Sequence, residues 1–229
     1  TILFELDQDL QWYQKRKAAK NAKTSHILKE TLKAQILMLT PFAPHTCEEL
    51  WETMDGKDFA SLHPWPKPDR KKVDIKAEES ESLIMNLLDD TRNIIKATKM
   101  THKKVFYYTA APWKWKVYIN ALEKSLKEKV EQSSLIKELL KDSDLKAMAK
   151  EVAAFTSKII DEINQMPQER KQKLIAVGPI NETQVLKEAE RFLKDEINAE
   201  IIIYGEENKE RHDPKNRAHL AKPLRPAIY

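Results

Sequence analysis

The stretch Leu39-Thr-Pro-Phe-Ala-Pro-His-Thr-Cys-Glu-Glu-Leu-Trp51 closes one helix and opens the next. Upstream, Leu28, Leu32, Ile36 and Leu39 form an apolar stripe at helical spacing. Pro41 cannot continue that helix, because it lacks an amide donor and restricts the residue before it. The spacing therefore predicts a helix from Ser25 to Leu39, ending near Thr40. Pro44 then suits the first position of a new helix, its φ already set, with Glu48 and Glu49 early enough to meet the positive dipole end. That helix is expected from Ala43 to about Met54, with Leu50 and Trp51 facing the bundle.

The corner resembles the pattern Leu-x-Pro-Phe-x-Pro-His-x-x-Glu-Glu-Leu-Trp in the anticodon-binding helical domain of class I aminoacyl-tRNA synthetases for aliphatic amino acids. Two further stretches are similar to the leucyl-tRNA synthetase family of archaeal and eukaryotic-cytosolic type. One is Phe4-Glu-Leu-Asp-Gln-Asp-Leu-Gln-Trp-Tyr13; the other is Asp213-Pro-Lys-Asn-Arg-Ala218 with Lys222-Pro-Leu-Arg-Pro-Ala-Ile-Tyr229. The resemblance covers nearly the whole chain and thins between about Ser133 and Gln184. The family usually has Gly where this chain has Leu224.

With 229 residues, two domains of ordinary size are expected. No apolar run approaches the ~20 residues that span a bilayer. The single Cys47 excludes an intrachain disulfide and fits a reducing, cytoplasmic setting. A net charge of +4 is too mild to name a partner by itself. Gly56, Gly178 and Gly205 are the only glycines and lie far apart, so a glycine-rich phosphate loop is excluded. The first residues already read as mid-helix, and Thr1 is expected to be an internal position of a longer protein.

The fold class expected is mixed, an all-α helical bundle followed by a small α+β domain whose short sheet is covered by helices. The bundle is placed at 1–77 and includes the proline-rich tether Phe59-Ala-Ser-Leu-His-Pro-Trp-Pro-Lys-Pro68; the α+β domain is placed at 78–229. A first helix spans Thr1 to about Lys23. Beyond the tether, Glu78, Glu79 and Glu81 precede an amphipathic helix carrying Leu83, Leu87 and Ile94. Val105-Phe-Tyr-Tyr-Thr109 reads as a strand, and Pro112 opens a helix through Trp115, Ile119, Leu122 and Leu126. After a short helix near Leu135 to Leu140, Asp144 is expected to cap the longest helix, from Leu145 through Ile163 to Pro167. Asn181 and Gln184 suggest a capping box for a helix with Val185, Ala189, Leu193 and Ile197 inward. Ile201-Ile-Ile-Tyr204 reads as a buried strand, and Pro226-Ala-Ile-Tyr229 as an edge strand.

Lys99-Met-Thr-His-Lys103 looks superficially like the adenylation loop of class I synthetases, but His102 stands where that chemistry needs a lysine, and it reads instead as the basic end of a helix entering a strand. His45 and Cys47, two apart on a helix, point to different faces, so no metal site is expected. The remaining histidines are scattered, and no catalytic residue is assigned. Trp113 lies off the Trp115 stripe, with core packing preferred over base stacking. Lys15, Arg16, Lys17, Lys20 and Lys23 fit either a solvated helix end or RNA-backbone contact. The strongest signal is the ending, with Lys209, Arg211, Lys215, Arg217, Lys222 and Arg225 among Pro214, Pro223 and Pro226. Prolines stiffen a basic loop and arginine forks grip phosphate, whereas a solvated tail is the alternative.

The resemblance implies the tRNA-binding C-terminal part of a leucine-tRNA ligase, which joins leucine to its tRNA through an adenylate. It implies ATP and Mg for the full-length enzyme and no cofactor in this segment. The catalytic and editing domains would lie elsewhere in the same monomeric chain. The partner implied is tRNA(Leu): Arg16, Lys17 and Lys20 for the tRNA body, and Lys215, Arg217, Lys222, Arg225, Ile228 and Tyr229 for the long variable arm. The alternatives are the same region of an isoleucyl, valyl or methionyl synthetase, or a helical protein-protein scaffold using the Ser134 to Pro167 helices.

Overall fold

At the corner, proline chemistry is carried out as the sequence implies. In the computed structural model, which describes residues 4–18, 25–99 and 103–229, α2 (Ser25–Leu39) ends before Pro41, and the amides of Phe42 and Ala43 fold back onto the Leu39 carbonyl at 2.9 and 3.0 Å. Pro44 opens α3 (Pro44–Thr53) from its first turn. Cys47 and Trp51 of α3 are buried against Ile36 and Ala60. Leu50, expected inside, is 47% exposed, because one turn of helix places only one of the pair Leu50 and Trp51 on the inner face. Glu48 clamps the tether: its carboxylate accepts from the amides of Ala60 (2.6 Å) and Ser61 (3.0 Å), and the Ser61 amide leads in holding its carboxyl below the usual range. Helix α1 is described over Glu5–Ala18, and the rest of the expected run to Lys23 lies outside the described residues.

The chain divides into two compact units, Thr1–Val73 and Asp74–Tyr229. Asp74 makes the cut physical: its carboxylate accepts from the amides of Lys76 and Ala77, both at 3.0 Å, and starts α4 (Ile75–Thr98). The expected boundary at 77/78 therefore falls inside the first turn of α4, and Glu78, Glu79 and Glu81 lie within the helix rather than before it. Glu79 is buried; burial alone would raise its carboxyl, but Arg170 and Lys173 outweigh it and hold the group down.

The second unit is built on a three-stranded sheet in the order β2-β1-β3. Central β1 (Lys104–Thr109) pairs in parallel with β2 (Glu200–Gly205), from Lys104↔Glu200 to Thr109↔Gly205. It pairs antiparallel with β3 (Ala227–Ile228) through Tyr107↔Ile228 and Tyr108↔Ala227. Tyr107 and Tyr108 are fully enclosed. β2, expected to be buried, is an edge strand in which Ile201 is covered while Ile202, Ile203 and Tyr204 are half-buried.

Helix α5 (Pro112–Ser125), α6 (Gln132–Leu139) and α8 (Ala149–Gln165) enclose a core of Val117, Leu122, Leu135, Val152, Phe155 and Ile159. The expected single run from Leu145 to Pro167 is two helices, with α7 (Ser143–Ala147) before the break at Met148. Its cap is Asp142 rather than Asp144, since the Asp142 carboxylate reaches the amides of Asp144 and Leu145. Among the described residues the longest helix is α4, with 24 residues. Helix α9 (Gln168–Val177) follows Pro167 directly; it is not among the expected helices and lies where the family resemblance is thin. Asn181 caps α10 (Glu182–Ile197) by accepting from the Gln184 amide at 3.1 Å, but the Gln184 side chain turns to Glu188 rather than back, so the capping box is half made. The buried face of α10 includes Leu186, Ala189, Phe192 and Leu193; Ala189 and Leu193 are as expected, while Val185 and Ile197 are only half-buried. Trp113 meets Phe155 edge-on at 5.5 Å, a packing role.

Thr91 on α4 and Tyr107 on β1 share a buried hydroxyl-hydroxyl hydrogen bond of 2.9 Å. Thr91→Val should destabilise the second unit by about 1–3 kcal/mol by stranding the phenol, and adding Tyr107→Phe should recover much of that loss in urea unfolding.

Candidate nucleic-acid interface

From Glu206 to Pro226 the chain has little regular structure, so its shape must come from side chains. The principal anchor is Lys114 in the first turn of α5. It is 3% exposed and donates to the carbonyls of Ala221 (2.7 Å) and His219 (2.9 Å) while pairing with Glu206 at 2.8 Å. Burial lowers the basicity of the ammonium, and Glu206 offsets only part of that. Glu182, at the start of α10, accepts from the amides of Ala110 (3.1 Å) and Leu224 (2.5 Å). Burial pushes its carboxyl up to about 7 against these two donors. The Tyr108 hydroxyl donates to the His212 carbonyl, and the Asp213 carboxylate accepts from the amides of Arg217 (2.6 Å) and Ala218 (2.9 Å). Arg211 turns inward to the carbonyls of Glu206 and Asn208.

Leu224 adopts φ +62° in the turn between the paired residues Lys222 and Arg225, the left-handed geometry that glycine reaches without strain. The turn expected from the family's glycine is thus made with leucine. Its side chain packs against the cluster of Trp115, Val177 and Ile180, which offsets the backbone strain.

Of the residues singled out from the sequence, Arg217, Lys222, Arg225 and Ile228 converge on one cavity of about 500 Å³ between α4 and the terminal segment. Arg217 and Arg225 are exposed, and their guanidiniums have no hydrogen bond or ion pair among the described residues. Lys222 is engaged with Glu162 at 3.1 Å and with the Lys158 carbonyl. Lys215 lies over the Tyr229 ring at 5.6 Å, and Tyr229 pairs through its backbone with Phe106 at 2.7 and 2.9 Å. In the first unit, Arg16 is only 8% exposed and falls one turn after Tyr13 on α1. Lys17 lies over the Tyr13 ring at 5.7 Å, and Lys20 is outside the described residues.

Sequence reading missed Lys114, Glu182 and Glu206. A signal for the first was present, since Lys114 shares helical spacing with Val117, Tyr118 and Ala121, an inward face. The helices from Ser134 to Pro167 keep Leu135, Leu139, Val152, Phe155, Ile159 and Ile163 buried, which removes the exposed apolar patch that a scaffold role would need.

Residues 1–107 match the family model described as the anticodon-binding domain of tRNA ligase. Over 228 residues and 99% of its length, the chain is 38% identical to the leucine-tRNA ligase of Methanococcoides burtonii. It is 33% identical to that of Pyrococcus abyssi, again over 99% of the chain. Along nearly its whole length the chain is similar to leucyl-tRNA synthetases of class I. It spans 23% of the Methanococcoides relative and 22% of the Pyrococcus one, and matches the C-terminal region of such a synthetase. The family model stops within β1, so the terminal basic segment is covered only by the likeness to leucine-tRNA ligases. Among the described residues, no helix is long and apolar enough to cross a membrane.

Because Glu182 rises from 4.5 to about 7 on folding, the folded unit keeps a proton that the unfolded chain releases between those values. Stability of the second unit should therefore be greatest at the acid end of that window, fall by roughly 3 kcal/mol as pH rises through it, and level off above pH 7. Urea unfolding at pH 5 and pH 8 measures the slope, which Glu182→Gln should flatten.

Proposed function

We propose that this chain is the tRNA-recognition part of a leucine-tRNA ligase, with the terminal segment of the second unit gripping the long variable arm of tRNA(Leu). The observation that carries this is the pair of unpaired guanidiniums, Arg217 and Arg225, held on a loop whose backbone is fixed from inside by Lys114, Glu182 and Asp213. Guanidinium forks are suited to phosphate, and a loop already ordered loses little entropy on docking. Structured RNA is recognised by shape, backbone and unstacked bases, which such a surface can engage. Arg16 and Lys17 are the described candidates in the first unit for the tRNA body. In the full-length enzyme, a monomer of the cytoplasm, ATP and Mg would serve a catalytic domain outside this segment, and an editing domain would also lie elsewhere.

The test is binding to leucine tRNA, and to the same tRNA with its variable arm cut short, across a salt series. The intact tRNA should bind more tightly, with affinity falling steeply as salt rises. Arg217→Ala and Arg225→Ala should each reduce the salt slope by about 1, whereas Lys222→Ala, whose charge is already engaged by Glu162, should change it less. Equal affinity for both tRNAs would remove the variable arm from the reading, and no binding at any salt would remove tRNA recognition altogether.

A further inference from the structure

We propose that the groove between α4 and the terminal segment takes up an unstacked guanine of the bound RNA, with Asp90 reading its base-pairing edge. This rests on the tRNA-binding reading above and gives that surface a base specificity. Asp90, Asn93, Ile94 and Ala97 are spaced by three, one and three residues on α4, so one helix face presents a carboxylate, an amide and two apolar surfaces to the cavity of about 500 Å³. The opposite wall carries Leu220, Ile228, Arg217 and Arg225. In the second unit the large apolar side chains left exposed among the described residues are Met85, Ile94 and Leu220, and the last two both line this cavity. A mostly apolar cleft of this size with a few convergent polar groups is the usual form of a small-ligand site. A second cavity of about 380 Å³ shares Asp90, Arg225 and Pro226 with it, so the groove continues along α4 and leaves room for the neighbouring nucleotide.

Hydrogen-bonding chemistry selects the base. The Asp90 carboxylate is half-buried and has no hydrogen bond or ion pair among the described residues. An ionised carboxylate only accepts. Guanine offers it two adjacent donors, N1–H and the 2-amino group, which a carboxylate meets with both oxygens. Adenine and cytosine place their single amino group beside a ring-nitrogen lone pair, and the N–H of uracil lies between two carbonyls; each of these repels the second oxygen. The Asn93 amide lies one turn along the same face, where it can donate to O6 of guanine. Arg217 and Arg225 then supply the flat cations that stack on a splayed base or pair with its phosphate.

Two measurements decide it. The chain is titrated with GMP, IMP, AMP, CMP and UMP while the amide signals of Asn93 and Ala97 are followed by NMR. GMP should bind best, and IMP, which lacks the 2-amino group, about tenfold more weakly. Asp90→Asn should abolish the difference between GMP and IMP. In the tRNA assay the same variant should lose about tenfold in affinity with an unchanged salt slope, since no cation is removed. Equal binding of all five nucleotides, a GMP preference that survives Asp90→Asn, or wild-type tRNA affinity in that variant would overturn the guanine assignment while salt-dependent tRNA binding persists. Absence of tRNA binding by the unsubstituted chain would instead overturn the reading beneath it.

Discussion

The buried ammonium of Lys114 is the interaction on which the second unit depends. Taking a charge out of water costs several kcal/mol unless it is paired and hydrogen-bonded. Here one carboxylate and two carbonyls meet it, and the Trp113 and Phe155 rings lie 5.7 and 5.3 Å from it. Those partners come from three separate places: the loop after β2, the terminal segment and the helical core. Glu182 makes a matching connection a short way off, joining the turn after β1 to the Leu224 amide. The amides of Ala110 and Ala111, on that turn, go to Glu182 and Glu206 respectively. A turn between a strand and a helix thus becomes the junction to which an otherwise irregular segment is tied.

The cations of the second unit consequently divide by destination rather than by residue type. Lys114 and Arg211 face inward to carbonyls, while Arg170 and Lys173 are taken up by Glu79 across α4 and α9. Arg217 and Arg225 keep their guanidiniums exposed with no partner among the described residues. Net charge could not distinguish these groups, and neither could their position in a basic run. Burial of the acidic partners does: Asp213, Glu79 and Glu206 are all enclosed, and each withdraws a cation or an amide from the surface.

Local rules that act within a turn or two were legible in the sequence. Pro41 and Pro44 set the corner, Asn181 capped α10, and the β-formers of Val105 to Thr109 made the central strand. The break at Met148 was not, because the apolar steps of three and four run through it unbroken while Asp142 caps a helix that begins two residues earlier than expected. On α10 the expected Ala189 and Leu193 are inward, while Leu186 and Phe192 are buried where Val185 and Ile197 were expected, because Val185 and Leu186 are both apolar and packing on the sheet chose the second. At the candidate interface the basic ending stood out in sequence, whereas the burial of Arg16 did not, since a lysine- and arginine-rich helix end does not reveal which cation the helical period carries inward. Helical spacing places Lys114 on an inward face, but what Lys114 and Glu182 hold was not legible, because their partners lie 42 to 107 residues away.

How one short segment supplies both anchors and free cations follows from its order of residues. Arg217 is followed by buried Ala218, Lys222 by buried Pro223 and Arg225 by buried Pro226, with Ala221 enclosed between them. Alanine lets the backbone approach the core closely enough for Lys114 to reach its carbonyls. Proline fixes its own φ and restricts the residue before it to extended conformations. Two of the three cations therefore stand on backbone that the following proline has already confined. The third, Arg217, is held through its own amide by Asp213. The backbone beneath each of the three is therefore confined locally, by the next residue or by Asp213, and the ordering cost that long basic side chains would otherwise add to binding falls mainly on the side chains themselves.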